Sequence, residues 1–448
     1  MIVGAGPTGL GAGWELKKLN YPSFKIFEQH NYVGGLAASF KDAQGFTWDI
    51  GGHVLFSHYK YFDDLFEKAL NSQYVEHERN SWVWIYDRFV PYPFQNNIHR
   101  LPKEILLECL VKIIDTIGKN PREAKNFEDW LKATFGEGIF KHFLKPYNDK
   151  VWAYPLNLIS KDWTAERVSP IKISKVLENV IYDKDDISWG PNNKFKFPLR
   201  GGTGAIWEGS AGFVKDHLIL NKKLTKILWK EKKAVFNDAE LESYDFLISS
   251  IPLNELVSIL SPSVEELLTR SKELAFVSGL IVGVGFNKPC PSDKCWMYFP
   301  MPNSPFYRVT YFSNYSPNNT PDPNNNYSLM AEISYSSFRE YDITKAIDET
   351  IEGMINSKLI DEEDSKKIIS THLIDVKYSY PVPTLNRDQV LGEIIPWLES
   401  NNIFSRGRFG LWKYEIGNMD HSVMQGAELV RRLLSNTPET TIFQISIR

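Results

Sequence analysis

The chain reads as an α/β protein: a Rossmann-like dinucleotide-binding domain interrupted by a helical insert domain and completed by an antiparallel β-sheet domain. Three observations predict this. A glycine-rich turn lies between a short apolar strand and a helix at the start of the chain, apolar residues then recur at helical spacing from Leu101 to about Lys175, and strand-like runs dominate from about Phe276 to Lys377.

The first element carries the most chemistry. Ile2-Val3 leads into Gly4-Ala5-Gly6-Pro7-Thr8-Gly9, Phe24 to Phe27 forms a second apolar strand ending at Glu28, and Gly34-Gly35-Leu36 follows. Gly4 permits the tight turn, Gly6 lets backbone N–H groups approach a pyrophosphate, and Gly9 lets the helix pack closely on the sheet. The helix N-terminus then faces the diphosphate, with Thr8 in its first turn. Glu28, 24 residues beyond Gly4, stands where a carboxylate accepts hydrogen bonds from an adenosine ribose. Only three residues precede Gly4, a short first strand, so a few upstream residues are expected to be missing from this chain.

The insert is read from Ile105-Leu106-Cys109-Leu110-Ile113-Ile114 and Phe127-Trp130-Leu131-Phe135, apolar at positions three and four apart. Phe195 to Thr203 is a strand ending in a glycine-rich turn, and Phe246 to Ser250 returns to the parallel sheet. Leu280 to Phe286 and Ser328 to Ser334 are strands of the second sheet, and the Asn/Pro-rich stretch from Ser316 to Asn326 reads as a surface loop. Arg406 to Leu434 is a turn-rich segment leading into a final helix that closes the Rossmann domain. The expected divisions are 1–85, 195–260 and 390–448 for the dinucleotide domain, 100–190 for the insert and 265–385 for the sheet domain.

Composition excludes several classes. A net charge of −4 argues against a general nucleic-acid binder. The longest apolar run, Leu274 to Phe286, holds 13 residues with Ser and Gly among them and reads as a buried strand rather than a membrane span. Cys109, Cys290 and Cys295 suit neither a disulfide framework nor a metal site, which points to a reducing, cytoplasmic setting. The Asn-x-Ser/Thr triplets at Asn314, Asn318 and Asn326 are then chance. The 13 Trp, 21 Tyr and 27 Phe are an excess of aromatics, which suits a deep pocket as well as a large core. The nine His show no metal-ligand spacing, and no Ser-His-Asp or Cys-His arrangement is visible.

Longer strings then follow in order: Gly51-Gly52-His53-Val54-Leu55-Phe56-Ser57-His58, Val90-Pro91-Tyr92-Pro93-Phe94-Gln95, Pro146-Tyr147-Asn148-Asp149-Lys150-Val151-Trp152, Arg200-Gly201-Gly202-Thr203-Gly204, Asp293-Lys294-Cys295-Trp296-Met297-Tyr298 and Ser405-Arg406-Gly407-Arg408-Phe409-Gly410. Over essentially the whole chain they closely resemble the eukaryotic-type UDP-galactopyranose mutases. The resemblance implies FAD as the cofactor, active when reduced, with NADPH or NADH as reductant. It implies interconversion of UDP-galactopyranose and UDP-galactofuranose by attack of reduced FAD N5 on the anomeric carbon, without net redox.

By resemblance, Arg167 and Arg308 grip the diphosphate, a task suited to the planar guanidinium fork. Tyr298, Tyr380 and Tyr414 are the phosphate-binding tyrosines and Trp296 lies beside the sugar, with Asn192 near the galactose. Tyr92, Phe94, Gln95, Asn148 and Trp152 form the uridine pocket. Gly52 and His53 belong to a loop at the isoalloxazine that moves with its redox state. Arg408, Asn418 and Asp420 border the flavin, although Met419 stands where relatives often carry Gln. No membrane or nucleic-acid partner is expected, and self-association into a homo-oligomer is compatible with the sequence. The dinucleotide motif alone also fits a redox enzyme of the amine-oxidase or protoporphyrinogen-oxidase type, and a mutase for another nucleotide sugar is the second alternative.

Overall fold

A computed structural model describes residues 1–164, 168, 171–187 and 193–443, the side chain of residue 443 excepted. Arg167 and Asn192 lie outside the described residues.

The dinucleotide domain is built on a five-stranded parallel sheet in the spatial order Ile403–Ser405, Leu247–Ser249, Ile2–Val3, Ile26–Phe27 and Leu218–Ile219. Its strands are two or three residues long and come from distant parts of the chain, so the insert and the second sheet are excursions from one frame. Helix Pro7–Lys18 follows the first strand and packs against the final helix, Met419–Ser435. The approach is close enough to demand glycine: a Cβ on Gly426 would stand 2.1 Å from the Thr8 carbonyl oxygen, and one on Gly11 would stand 2.6 Å from that of Val423.

The second sheet has seven strands, ordered Ile368–Pro381, Phe276–Phe286, Tyr327–Tyr335, Arg308–Tyr311, Trp296–Tyr298, Ser81–Ile85 and Arg88–Pro91. It departs from the sequence expectation in two ways. Ser81–Ile85 and Arg88–Pro91 come from the N-terminal part of the chain, and Trp296–Tyr298 pairs with Ser81–Ile85 in parallel, so the sheet is mixed. Nothing local encodes this pairing, because its partners are more than 200 residues apart. Phe276–Phe286 is buried along nearly its whole length, and Trp48 and Phe46 lie in the grooves left by Gly283 and Gly285.

The insert holds helices Lys103–Ile114, Phe127–Ile139, Lys145–Trp152 and Ile173–Ile181. Gly138 lets the second of these approach Cys109, where a Cβ would come within 2.7 Å of the Cys109 Cα. A core of Phe94, Phe143, Trp152, Trp163 and their neighbours joins the insert to the seven-stranded sheet. The Ser316 to Asn326 stretch is a surface loop only in part, with Pro317, Pro321 and residues 323–325 exposed. Ser316 and Asn319 are fully buried, because Ser316 Oγ and Asn318 Nδ2 donate to the Leu199 carbonyl at 2.6 and 2.9 Å and Asn319 Nδ2 donates to the Phe312 carbonyl.

Candidate functional site

Two clefts meet between the sheets. The first, about 520 Å³, runs along the glycine turn and is lined by Gly4, Gly6, Thr8, Glu28, Gly35 and Gly407 among others. The second, about 230 Å³, is lined by Gly52, Arg308, Glu332, Tyr380, Tyr414 and Asn418 among others. Leu36, Ile50, His53, Val376, Arg408 and Met419 line both, so the two form one continuous groove.

At the first end, Gly4 adopts φ +99°, which an L side chain rarely takes, and a Cβ there would stand 2.2 Å from Ser250 Oγ. A Cβ on Gly9 would meet the Gly4 carbonyl oxygen at 1.8 Å, so Gly9 serves packing and does not line the cleft. Helix Pro7–Lys18 begins with no side-chain cap and no acidic residue in its first turn, leaving its N–H groups and positive dipole end for an anion. Glu28 is buried at the end of the second strand. Its Oε2 accepts from Ala5 N at 2.8 Å and its Oε1 from His30 N at 2.9 Å, which fixes the carboxylate while each oxygen keeps a second lone pair. Gly34 has φ +99° and its N–H donates to the Ala5 carbonyl, tying this glycine pair to the first turn.

The turn carrying Gly407 and Arg408 is held from behind. Arg406, fully buried, donates to Glu439 and Glu399 at 2.6–2.7 Å, and Gly407 N donates to Gln425 Oε1 at 2.7 Å. Arg408 Nε donates to the Gly417 carbonyl at 2.9 Å, and its guanidinium lies 5.7 Å from the Tyr380 ring centre. Asp420 opens the last helix beside Asn418. Burial alone would raise its carboxyl, but the neighbouring His421 ring, with Nδ1 3.1 Å from Oδ1, and the hydrogen bonds with His58 hold it well below the usual range. His58 Nδ1 lies 2.8 Å from Asp420 Oδ2, and with His421 three ligand-type atoms gather within 4.8 Å, a grouping invisible at a separation of 362 residues.

At the second end Glu332 organises the wall. It lies on the buried strand Tyr327–Tyr335, in register with Arg308 on Arg308–Tyr311. Arg308 Nε and Nη2 donate to Glu332 Oε1 and Oε2 at 2.7 and 2.8 Å. Tyr307 OH donates to Oε2 at 2.8 Å and Gly52 N to Oε1 at 3.0 Å. Burial opposes both charges, yet Glu332 keeps the guanidinium of Arg308 well above its usual pKa, and Arg308 keeps the Glu332 carboxyl below its usual value. Tyr307 OH is also 3.4 Å from Tyr380 OH. Glu332 and Tyr307 were not singled out from the sequence. The available signal was a lone carboxylate in an otherwise apolar and hydroxyl-bearing strand.

His53 stands at the junction. Burial lowers its pKa to about 4, with the charges of Arg408 and Arg308 acting in the same direction and Glu332 opposing, so the imidazole is neutral near pH 7. Its Nδ1 is buried with no hydrogen-bond partner among the described residues. An orphaned imidazole nitrogen at the meeting of a dinucleotide groove and a cationic wall fits a polar ring edge of a bound cofactor. The uncapped helix end and anchored Glu28 fit that cofactor's diphosphate and ribose.

The remaining residues singled out from the sequence fall in two neighbouring clusters. Trp152 is buried against Trp163 and Tyr414, with ring centres 5.2 and 5.1 Å away, and Tyr380 is 5.5 Å from Tyr414. Tyr92 and Tyr147 pack on Tyr298 at 5.0 and 5.2 Å, and Arg79 stacks over Tyr92 and Trp296. Phe94 is wholly buried against Phe143, and Asn148 Nδ2 donates to the Leu144 carbonyl at 2.7 Å. Gln95 is also buried. Of the substrate set, Arg308, Tyr380 and Tyr414 line the groove, whereas Tyr92, Phe94, Gln95, Asn148, Trp152, Trp296 and Tyr298 do not. Among the described residues no helix is long and apolar enough to cross a membrane.

The flavin containing amine oxidoreductase family matches residues 7–415. A crystal structure of reduced UDP-galactopyranose mutase is similar over 99% of this chain and 97% of that one, at 40% identity and a TM-score of 0.95. A putative protoporphyrinogen oxidase from an Exiguobacterium species is similar over 96% and 97% of the two chains at 15% identity and TM-score 0.71. A fatty acid isomerase from P. acnes is similar over 97% and 98% at 14% identity and TM-score 0.65. These last two likenesses concern the fold alone.

Proposed function

Because the chain belongs to the flavin containing amine oxidoreductase family and, within it, to the UDP-galactopyranose mutases, we propose that it interconverts UDP-galactopyranose and UDP-galactofuranose on reduced FAD without net redox. The observation that carries the reading is the wall facing His53: Arg308 lines the ring end of a dinucleotide groove, oriented by a buried carboxylate and followed by Tyr380 and Tyr414. A leaving nucleoside diphosphate needs a cation and hydroxyl donors there.

The roles follow from position. Gly4, Gly6, Thr8 and the helix end would hold the FAD pyrophosphate, Glu28 its ribose, and Gly34, Gly35, Leu36, Gly52, His53, Arg408, Asn418 and Asp420 the remainder. When bound and reduced, the flavin supplies the nucleophile that the protein's own side chains lack. Arg308 is already aimed by Glu332, so little reorganisation accompanies anion binding. Its Nη1, the guanidinium nitrogen that Glu332 does not engage, is available to a phosphate oxygen. Arg167 is proposed as the second diphosphate cation and Asn192 as a sugar contact. His53, neutral near pH 7, can offer one ring nitrogen as donor or acceptor to the cofactor without adding charge. Tyr380 and Tyr414, which line the groove, are assigned with Tyr298 as hydroxyl donors to the diphosphate, Trp296 is assigned beside the sugar, and Tyr92, Phe94, Gln95, Asn148 and Trp152 are assigned to the uridine.

NADPH or NADH is the proposed reductant. Three free cysteines, two of them buried, support a reducing, cytoplasmic setting. The test incubates dithionite-reduced protein with UDP-galactofuranose under argon and follows UDP-galactopyranose by chromatography. Oxidised protein is expected to be inert, and one reduction to sustain many turnovers. Nicotinamide oxidation in step with product would instead favour an oxidoreductase.

A further inference from the structure

A lysine is rarely buried without a carboxylate partner, yet Lys150 is 5% exposed and its ammonium is spent on neutral oxygens. Nζ donates to the carbonyls of Met301, Ser304 and Phe306 at 2.5, 2.8 and 3.1 Å, with Ser304 Oγ at 3.3 Å. An ammonium has three donors, so each carbonyl has one proton to accept. These carbonyls belong to the connection between Trp296–Tyr298 and Arg308–Tyr311, strands that pair antiparallel with Tyr298 opposite Arg308. Helix Ala346–Asn356 closes on the same connection: a Cβ at Gly353 would stand 2.9 Å from Pro305 Cδ and 3.0 Å from Ser304 Cβ. The helix that carries Lys150, Lys145–Trp152, also carries Asn148 and Trp152, and its Tyr147 packs on Tyr298 with ring centres 5.2 Å apart. One ammonium therefore ties that helix to the hairpin that presents Tyr298 and Arg308.

We propose that Lys150 is a positioning residue that sets the spacing between the uridine seat on its own helix and the diphosphate wall at Tyr298 and Arg308. The inference rests on the nucleotide-sugar reading above. A nucleoside diphosphate spans both seats, so its affinity depends on their separation as well as on the contacts within each, as for any two-point ligand. Uridine and pyrophosphate each occupy one seat and do not sense the spacing. Protonation adds a second signature. Burial pushes the ammonium down to about 7, with the charge of Arg339 acting in the same direction. Of the charged groups on the elements packed around it, Asp149 pairs with Lys145, Glu332 with Arg308 and Glu349 with Tyr341, while Asp348 and Glu352 are exposed to solvent. A neutral amine keeps two N–H donors for three carbonyls, so the tether loosens as pH rises through this value.

The experiment measures inhibition constants of UDP, uridine and inorganic pyrophosphate on reduced holoprotein turning over UDP-galactofuranose, in wild type and Lys150→Met, at about pH 6.5 where the ammonium keeps its proton. In the variant the UDP constant is expected to rise at least about tenfold, while those of uridine and pyrophosphate stay within about twofold and flavin content per protein is unchanged. A lysine that serves folding alone would weaken all three ligands alike, and that result overturns the proposal, as does an unchanged UDP constant. A second measurement needs no variant that might fail to fold. Between about pH 6 and about pH 9 the wild-type KM for UDP-galactofuranose is expected to rise at least about threefold, within the range of one net hydrogen bond. Lys150→Arg, whose guanidinium stays charged throughout, is expected to flatten that rise. A flat wild-type profile overturns the proposal, and so does the same rise in Lys150→Arg. Wild type that neither turns over UDP-galactofuranose nor binds UDP overturns the nucleotide-sugar reading and the proposal with it, whereas every other outcome leaves that reading standing.

Discussion

Arg308→Met tests the anion wall most directly, because the substitution keeps length and removes charge. The Glu332 side chain is 3% exposed, and Arg308 supplies two of its four hydrogen bonds and its neutralising charge. Without Arg308 the carboxylate retains only Tyr307 OH and Gly52 N, and breaking a buried pair on one side costs about 3–5 kcal/mol. The double variant Arg308→Met with Glu332→Gln leaves no buried charge, so it is expected to recover ~1–3 kcal/mol relative to the sum of the single losses, the range of coupling between contacting residues. Urea unfolding of FAD-saturated protein measures both. Calorimetry on the folded variants is expected to show UDP binding weakened by about 1.5–3 kcal/mol for the lost charged hydrogen bond, roughly 10- to 150-fold. Strict additivity would show that Glu332 is not held by Arg308. Unchanged UDP affinity would remove Arg308 from the diphosphate site.

Arg167→Ala is expected to weaken UDP binding by a similar factor, and wild-type affinity in calorimetry would withdraw its assignment. His53→Ala should retain FAD while lowering the rate per bound flavin; a normal rate per flavin would make this histidine structural. In FAD-free protein the depressed His53 pKa contributes a pH dependence of definite sign. The folded state binds fewer protons than the unfolded state between about 4 and the ordinary imidazole value of 6.5, so this contribution is complete above 6.5 and is lost as pH falls towards 4. His53→Ala should flatten that part of the stability profile, and an unchanged slope in urea titrations across the window would refute it. Gly426→Ala places a methyl 2.1 Å from the Thr8 carbonyl and should cost ~1–3 kcal/mol with a fall in FAD occupancy; a fully loaded, equally stable variant would show the helix contact to be slack.

The features legible in the chain are those whose physics is local. The turn from Gly4 to Gly9 is written in consecutive residues because a left-handed backbone, a close approach and a helix start each restrict one position. The helical insert and the apolar run from Phe276 to Phe286 were equally readable, since periodicity and length settle helix against buried strand. The longer strings around His53, Trp296 and Arg408 carried the family resemblance. Other features had no local signature. The parallel joint of Trp296–Tyr298 with Ser81–Ile85 and the burial of Ser316 depend on partners contributed by remote segments. Glu332 is the plainest case: alone in sequence it is a carboxylate in a strand, and only the strand register with Arg308 and the docking of Gly52 turn it into the anchor of the site. Local sequence dictates what each segment prefers, whereas which charges meet in the low-dielectric interior is decided by packing, because a buried charge is tolerated only where the assembled fold delivers its partner.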